Sequence, residues 1–176
     1  MTVSKEGPNY FNITAVAVPC FSSDPTLPSL FDPLSNPNGA TPSLLRVFLD
    51  TEATTPSIFT KTKTTFRNVY DLPKRRNEIT LRAVPSGVDS DILLYNQLGE
   101  LMETTIFNVA FYRNSQWVTP ATTSGCLGGV MRRWLLENGR VREEVLTRDT
   151  ICEGEWVLLF NGVQGCRFGK LYISDS

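Results

Sequence analysis

Seven of the eleven prolines in this chain fall within residues 1–43, at positions 8, 19, 25, 28, 33, 37 and 42. Proline has no N–H to give to a strand ladder and fixes its own φ, so a segment this dense in it cannot supply central strands or an unbroken helix. One apolar run inside it, Ile13 to Val18, has the texture of a strand. The rest of the segment reads as an irregular lead-in, and the compact domain is expected over residues 44–176. The full length of 176 residues suits one domain with a short appendage.

Hydrophobic residues make up 41% of the chain and charged residues 20%, with a formal charge of −1. This is the balance of a soluble globular protein and lacks the basic excess of a nucleic-acid binder, so the expected partners are small molecules or proteins. No apolar stretch is long enough to span a membrane. Cys20, Cys126, Cys152 and Cys166 are widely spaced, form no Cys-x-x-Cys pair and follow no signal-like N-terminus, which predicts reduced thiols in a cytoplasmic protein. There is no histidine. Ser-His-Asp and Cys-His catalysis, zincin motifs and imidazole metal sites are therefore excluded, no metal site is expected, and acid–base work falls to Lys, Asp, Glu, Tyr or Cys.

From Leu44 the texture changes. Leu44 to Leu49 reads as a buried strand, and 51–57 as a loop closed by Pro56. Phe66, Val69 and Tyr70 recur at helical spacing behind Thr64 and Thr65, predicting a helix that starts just after Lys63 and is kinked or ended by Pro73 near Leu72. The basic run Lys74-Arg75-Arg76 is then its solvated end. Asp91 to Tyr95 and a longer stretch from Leu101 to Tyr112 read as strands, and Arg113-Asn114-Ser115 as a turn into a third, ending at Pro120. This pattern predicts an antiparallel meander. Val130 to Leu136 places its apolar residues on one helical face and stops at Asn138-Gly139. Val141, Glu143 and Val145 alternate as an exposed strand, and Trp156 to Phe160 is a buried strand meeting an Asn161-Gly162 turn before a last strand over Cys166 to Ile173. The class is α+β.

Lys63, Glu103, the glycines before Val130 and the Asn161-Gly162 turn follow one another at domain-scale intervals. An amine for a Schiff base, a carboxylate to keep a pyridine nitrogen protonated and helix-start N–H groups for a phosphate are what a pyridoxal phosphate site requires. Taken singly, each has an ordinary reading. Lys63 can be one of a solvated pair with Lys61, Arg67 a surface helix residue, and Glu103 an exposed strand carboxylate. Gly128-Gly129 can simply loosen a loop, and Asn161-Gly162 is a common hairpin signal.

Together, Lys63-Thr64-Thr65-x-Arg67-x-x-Tyr70, Glu103-x-x-x-Phe107-Asn108, Trp117-Val118-Thr119-Pro120, Gly129-Val130-Met131-Arg132 and Phe160-Asn161-Gly162-Val163 resemble the fold-type-IV pyridoxal phosphate enzymes. These are the class IV aminotransferases and aminodeoxychorismate lyases, and the fungal lyase-like branch looks most similar. The resemblance implies the C-terminal large domain of that fold, with an antiparallel, barrel-like sheet and few helices. It implies that Lys63 is the Schiff-base lysine and proton shuttle, that Glu103 pairs with the pyridine nitrogen and that Arg67 lies near the cofactor ring. By the same resemblance Gly129 and Val130 hold the phosphate, and Asn161 and Gly162 frame phosphate and substrate carboxylate.

The family places a small domain ahead of this region, of which Val3 to Gly7 and Ile13 to Val18 resemble only the closing hairpin. The expected function is a lyase releasing pyruvate to leave an aromatic amine, or an aminotransferase, acting on a small molecule as a homodimer. Two other readings remain. One is a cofactor-free cyclase- or isomerase-type descendant acting on a small apolar metabolite, and the other is a non-catalytic oligomerising partner.

Overall fold

The computed structural model describes residues 2–5, 11–14, 24–27, 44–78, 82 and 89–173. Strands β1 (Thr2–Lys5) and β2 (Phe11–Thr14) form an antiparallel hairpin with Val3 opposite Ile13. The strand expected over Ile13 to Val18 therefore begins two residues earlier. Its second half, residues 15–18, and Cys20 lie outside the described residues.

The core is built on β3 (Leu45–Leu49), β4 (Ser90–Tyr95), β5 (Leu101–Thr104), β6 (Asn108–Arg113), β7 (Gln116–Pro120), β8 (Val141–Glu144), β9 (Trp156–Asn161) and β10 (Gly165–Tyr172). They make one eight-stranded sheet in the order β5-β4-β3-β10-β9-β6-β7-β8. The pairs β3–β4, β3–β10 and β7–β8 are parallel and the others antiparallel, so the sheet is mixed where local patterns suggested an antiparallel one. The two edges then meet. The Leu101 N–H donates to the Leu146 carbonyl at 2.7 Å, the Arg148 N–H to the Gly99 carbonyl at 2.8 Å, and Glu100 bridges to Thr147 between them. These bonds draw the segment after β8 onto β5 and curl the sheet toward a barrel, which removes most of an exposed edge.

Period-two alternation decides what lies inside. Val157 and Leu159 of β9, Val109 and Phe111 of β6, and Leu93 and Tyr95 of β4 point into one interior cluster with Leu45, Val47, Val118 and Leu171. The residues between them face outward under helices. Ala110, Trp117, Leu158 and Phe160 are covered by Met131, Leu135 and Leu136 of α3 (Val130–Glu137), and Ile92 and Leu94 by Val69 and Tyr70 of α2 (Asn68–Arg76). Burying a side chain of this size stabilises the fold by about 1.5–3 kcal/mol. With few helices around a curled sheet, the architecture is the α+β fold expected.

Three local expectations are corrected. The stretch from Leu101 to Tyr112 is two strands, because Asp91 reaches across to cap a turn in its middle. Its carboxylate accepts from the Thr105 hydroxyl and from the Ile106 N–H at 3.1 Å, while Thr104 and Phe107 exchange bonds across the turn. The helix expected just after Lys63 starts at Asn68, since the Thr64 hydroxyl is engaged by the Phe66 N–H in a local turn. A separate short helix, α1 (Ile58–Lys61), precedes Lys63, with Ser57 and Thr60 forming a capping box.

Finally, α2 runs through Pro73 to Arg76. The turn after the proline is held from outside: the side chain of Asp50, 0% exposed, takes Arg76 Nε at 2.8 Å and Asn77 Nδ2 at 2.9 Å, and is ion-paired with Arg76 Nη2. Arg76 is thus a buried carboxylate's partner, where the basic run had suggested only a solvated end.

Asp50→Ala should take one of its two acceptors from the Asn77 amide nitrogen, leaving the Pro73 carbonyl, and strip one face of the Arg76 guanidinium of its partner. The expected loss is about 2–4 kcal/mol in urea denaturation, with α2 the element whose amide protection falls most.

Candidate active site

A strict alternation along β5 would send Glu103 to the same face as Leu101, into the barrel. The pairing prevents this. Tyr95 lies opposite Leu101 and Leu93 opposite Thr104, so two residues, Met102 and Glu103, face the single Leu94 across a bulge. Both therefore turn outward to the side covered by α2, where Met102 packs with Ile92, Leu94 and Tyr70. A bulge of this kind bends the strand and re-aims one side chain.

Glu103 is 4% exposed. Its Oε1 accepts from Tyr70 Oη at 2.8 Å and from the Leu127 N–H at 3.2 Å, and its Oε2 from Asn108 Nδ2 at 3.0 Å. Among the described residues it has no ion-pair partner. Burial is the largest influence on this carboxyl and raises it from 4.5 to about 7, against the opposing bonds from Tyr70 and Leu127 and the more distant charge of Arg132; Asp91 adds to the rise. Burial, with Glu103 beside it, likewise pushes the Tyr70 phenol well above its ordinary value, so Tyr70 is a donor at every physiological pH. Burial moves the Cys126 thiol to about 11, which leaves it inert as a nucleophile.

Asn108 ties this carboxylate to the start of α3. Its Nδ2 also donates to the Leu127 carbonyl at 2.8 Å, and its Oδ1 lies so close to Gly129 that any Cβ there would collide with it. Gly129 is the N-cap of α3 and no side chain caps that end, so the first-turn N–H groups are left to whatever lies in front of them. The Asn161–Gly162 turn packs against the same place: a Cβ on Gly162 would stand 3.1 Å from Val130 Cγ1. Asn161 Oδ1 is occupied by its own turn, accepting from the Val163 and Gln164 N–H groups at 2.9 and 2.7 Å.

Arg67 approaches from the other side. Its Nη2 donates to the Thr105 carbonyl at 2.9 Å and its guanidinium lies over the Tyr70 ring, 5.1 Å from the centroid. Lys63 sits on the loop between α1 and α2. The Phe59 and Phe66 rings, 4.5 Å apart, pinch the base of that loop, and Tyr70 Oη lies 3.5 Å from the Thr60 carbonyl at its start. The Lys63 side chain is exposed and has no bonded partner among the described residues.

Arg67, Glu103, Gly129, Val130, Asn161 and Gly162, separated by up to 95 positions in the chain (67 to 162), are thus linked through Tyr70, Thr105, Ile106 and Asn108. Lys63 is joined to them only through its loop. Sequence reasoning had not given Asn108 a role, nor placed Tyr70 at Glu103. Their signal was positional: both lie in the quoted motifs, five residues after Glu103 and seven after Lys63. Arg132, 2% exposed and bonded from Nη2 to the Pro120 carbonyl at 2.8 Å and to Glu143 at 3.3 Å, was also missed.

Comparison with known proteins gives a consistent picture. The sequence model of the family described as amino-transferase class IV matches residues 4–171. A Schizosaccharomyces pombe protein provisionally named aminodeoxychorismate lyase is 43% identical over 114 residues, covering 63% of this chain and 47% of its own. The aminodeoxychorismate lyase of Saccharomyces cerevisiae is 35% identical over 136 residues, covering 71% and 36%. The chain therefore spans under half the length of these curated relatives. A crystal structure from Mesorhizobium loti, provisionally named an amino-acid aminotransferase, superposes with a TM-score of 0.61 at 26% identity, over 75% of this chain and 61% of that one.

Because the folded state raises the Glu103 carboxyl above its unfolded value of 4.5, the folded protein holds that proton more tightly. The resulting stability is fully present below about pH 4.5 and is lost as pH rises through about 7, a change worth roughly 3 kcal/mol. Urea melts across this range should show the decline in the wild type and a flattened profile in Glu103→Gln.

Proposed function

The chain belongs to the class IV amino-transferase family, and on that footing we propose that it carries a pyridoxal phosphate site of the aminodeoxychorismate lyase or aminotransferase type. Glu103 is the observation that carries the reading. It is a sealed carboxylate with no ion-pair partner among the described residues, and three of the roughly four acceptor positions of a carboxylate are filled, leaving one on Oε2. A protonated pyridine nitrogen is the cation such a group lacks. The uncapped start of α3 at Gly129 and Val130, walled by the Asn161–Gly162 turn, suits a phosphate. Lys63 would hold the aldehyde carbon and Arg67 would flank the ring.

When bound, the cofactor supplies an electron sink for bonds breaking at the substrate's amine-bearing carbon. The chain's own groups do the rest. Glu103, ionised beside such a cation, would keep the pyridine proton in place. Tyr70, Asn108 and the Leu127 N–H hold its two oxygens in fixed positions, so little reorganisation is needed as charge develops. Lys63, on an exposed loop, would be free to take up and return a proton at the reacting carbon. Arg67 is pinned by Thr105 and Tyr70, so its guanidinium presents a preset cation at the mouth of the site.

In the lyase reading the substrate is an amino-cyclohexadiene that loses pyruvate to give an aromatic amine, and the names of the two yeast relatives support it. Residues 44–176 would form the large domain. A homodimer belongs to the same proposal, supported by the exposed apolar side chains of Ile106, Val130 and Val163 beside the site. No helix among the described residues is long and apolar enough to cross a membrane. A cytoplasmic setting is part of the proposal, supported by the unpaired Cys126, Cys152 and Cys166. A cofactor-free descendant is the second reading, favoured by one observation: among the described residues none bonds the Lys63 amine.

Pyridoxal phosphate added to the purified protein should produce a visible absorbance band, and borohydride should fix the cofactor on Lys63 in a peptide map. Lys63→Ala should abolish both. Absence of the band, or fixation on another lysine, overturns the reading and leaves the cofactor-free alternative.

A further inference from the structure

One hydroxyl in this site faces two acceptors. Tyr70 Oη lies 2.8 Å from Glu103 Oε1 and 3.5 Å from the Thr60 carbonyl. It has a single hydrogen to give, and a phenol this deeply buried does not ionise to escape the choice. Glu103 is at the inner end of the site on β5, whereas Thr60 is in α1, three residues before Lys63. Tyr70 itself is in α2, just beyond the loop, so it touches the Lys63 segment from one side and the carboxylate from the other.

We propose that Tyr70 is a positioning residue that couples the state of Glu103 to the setting of the Lys63 loop by moving its one hydrogen bond between Glu103 and the Thr60 carbonyl. An ionised carboxylate accepts more strongly than an amide carbonyl, so with Glu103 charged the hydroxyl is held inward and the Thr60 carbonyl is free. With Glu103 neutral, the carboxyl is the poorer acceptor. The hydroxyl then turns to Thr60, tying the end of α1 down and with it the segment that leads to Lys63. The step transfers no proton between residues and needs no co-reactant; a hydrogen bond changes acceptor.

The groups facing this carboxyl are few. They are Tyr70 from α2, Asp91 from β4, Arg132 from α3 and Cys126 from the loop after β7, with Arg67 lying over the Tyr70 ring. Among them Tyr70 alone bonds both Glu103 and the segment before Lys63. The consequence for the proposed chemistry is that a cation arriving at Glu103 changes how firmly the lysine's loop is held.

This inference deepens the proposed function, but its test uses the protein without cofactor, so either can fail while the other stands. With carboxyl carbons labelled, NMR follows Glu103 through its titration while amide resonances report Thr62, Lys63 and Thr64. In the wild type those amides should shift with the Glu103 midpoint. In Tyr70→Phe the midpoint should rise by about one pH unit, because a donor to the charged form is gone, and the loop amides should no longer follow it. Should Tyr70→Phe fail to fold, Glu103→Gln serves: the loop transition should vanish with the titrating group. Loop amides that ignore the Glu103 midpoint in the wild type, or that follow it unchanged in Tyr70→Phe, or that keep their transition in Glu103→Gln, overturn the coupling.

Discussion

A carboxylate sealed from water must find its partners inside the protein, and the placement of Glu103 by the β5 bulge is the constraint on which the rest of this site depends. Without the extra residue opposite Leu94, Glu103 would enter an interior made of leucine, valine and phenylalanine. There the three donors that hold it would be out of reach, and a carboxylate without them would cost far more than a bulge does. Turned outward, it becomes the point where four separate segments meet: Tyr70 from α2, the Leu127 N–H from the loop before α3, Asn108 from β6, and β5 itself. Neutral and charged forms then lie close in free energy near neutral pH, a poise an apolar side chain or an exposed glutamate would not have.

Around that point the barrel supplies rigidity. The interior cluster and the bonds joining β5 to the segment after β8 fix the ends of β5 and β6, and Asp91 fixes the turn between them. Arg67 and Asn161 both bond to the carbonyls of that turn, at Thr105 and Ile106. The turn therefore acts as a shared reference for groups that are far apart in sequence. Among the described residues the Lys63 loop has no comparable anchoring beyond the Phe59–Phe66 contact and Tyr70, which leaves its amine free to change partners, as the proposed role would need.

Much of this was legible locally. In the run Trp156 to Phe160 all but the half-buried Trp156 are buried, on both faces, as its unbroken apolar character suggested, and Gly139 at φ 63° ends α3 where Asn138-Gly139 signalled a stop. Asn114 and Ser115, both at positive φ, make the turn expected between β6 and β7. What was not legible depends on partners distant in the chain. Thr104 to Phe107 has strand composition, and only Asp91, on another strand, turns it into a corner. Pro73 should stop a helix by its own chemistry, and Asp50, packed beneath, ties down the turn beyond it. The bulge that re-aims Glu103 is a property of the β4–β5 register, which neither strand encodes alone. Hence motif spacing picked out the residue types of the site while missing Tyr70 and Asn108 as the donors that hold its carboxylate.

The parallel pairing of β3 with β10 sets Leu45 beside Gly169, where the Leu45 carbonyl would lie 2.7 Å from a Cβ on that glycine. These two strands occupy the middle of the sheet, yet they belong to opposite ends of the barrel-forming sequence. During synthesis β3 leaves the ribosome long before its neighbour exists, and must wait with one flank of unpaired backbone. Such a topology loads the late stages of folding with its most distant contact, slows the search, and makes the growing chain reliant on being shielded until its last strand arrives.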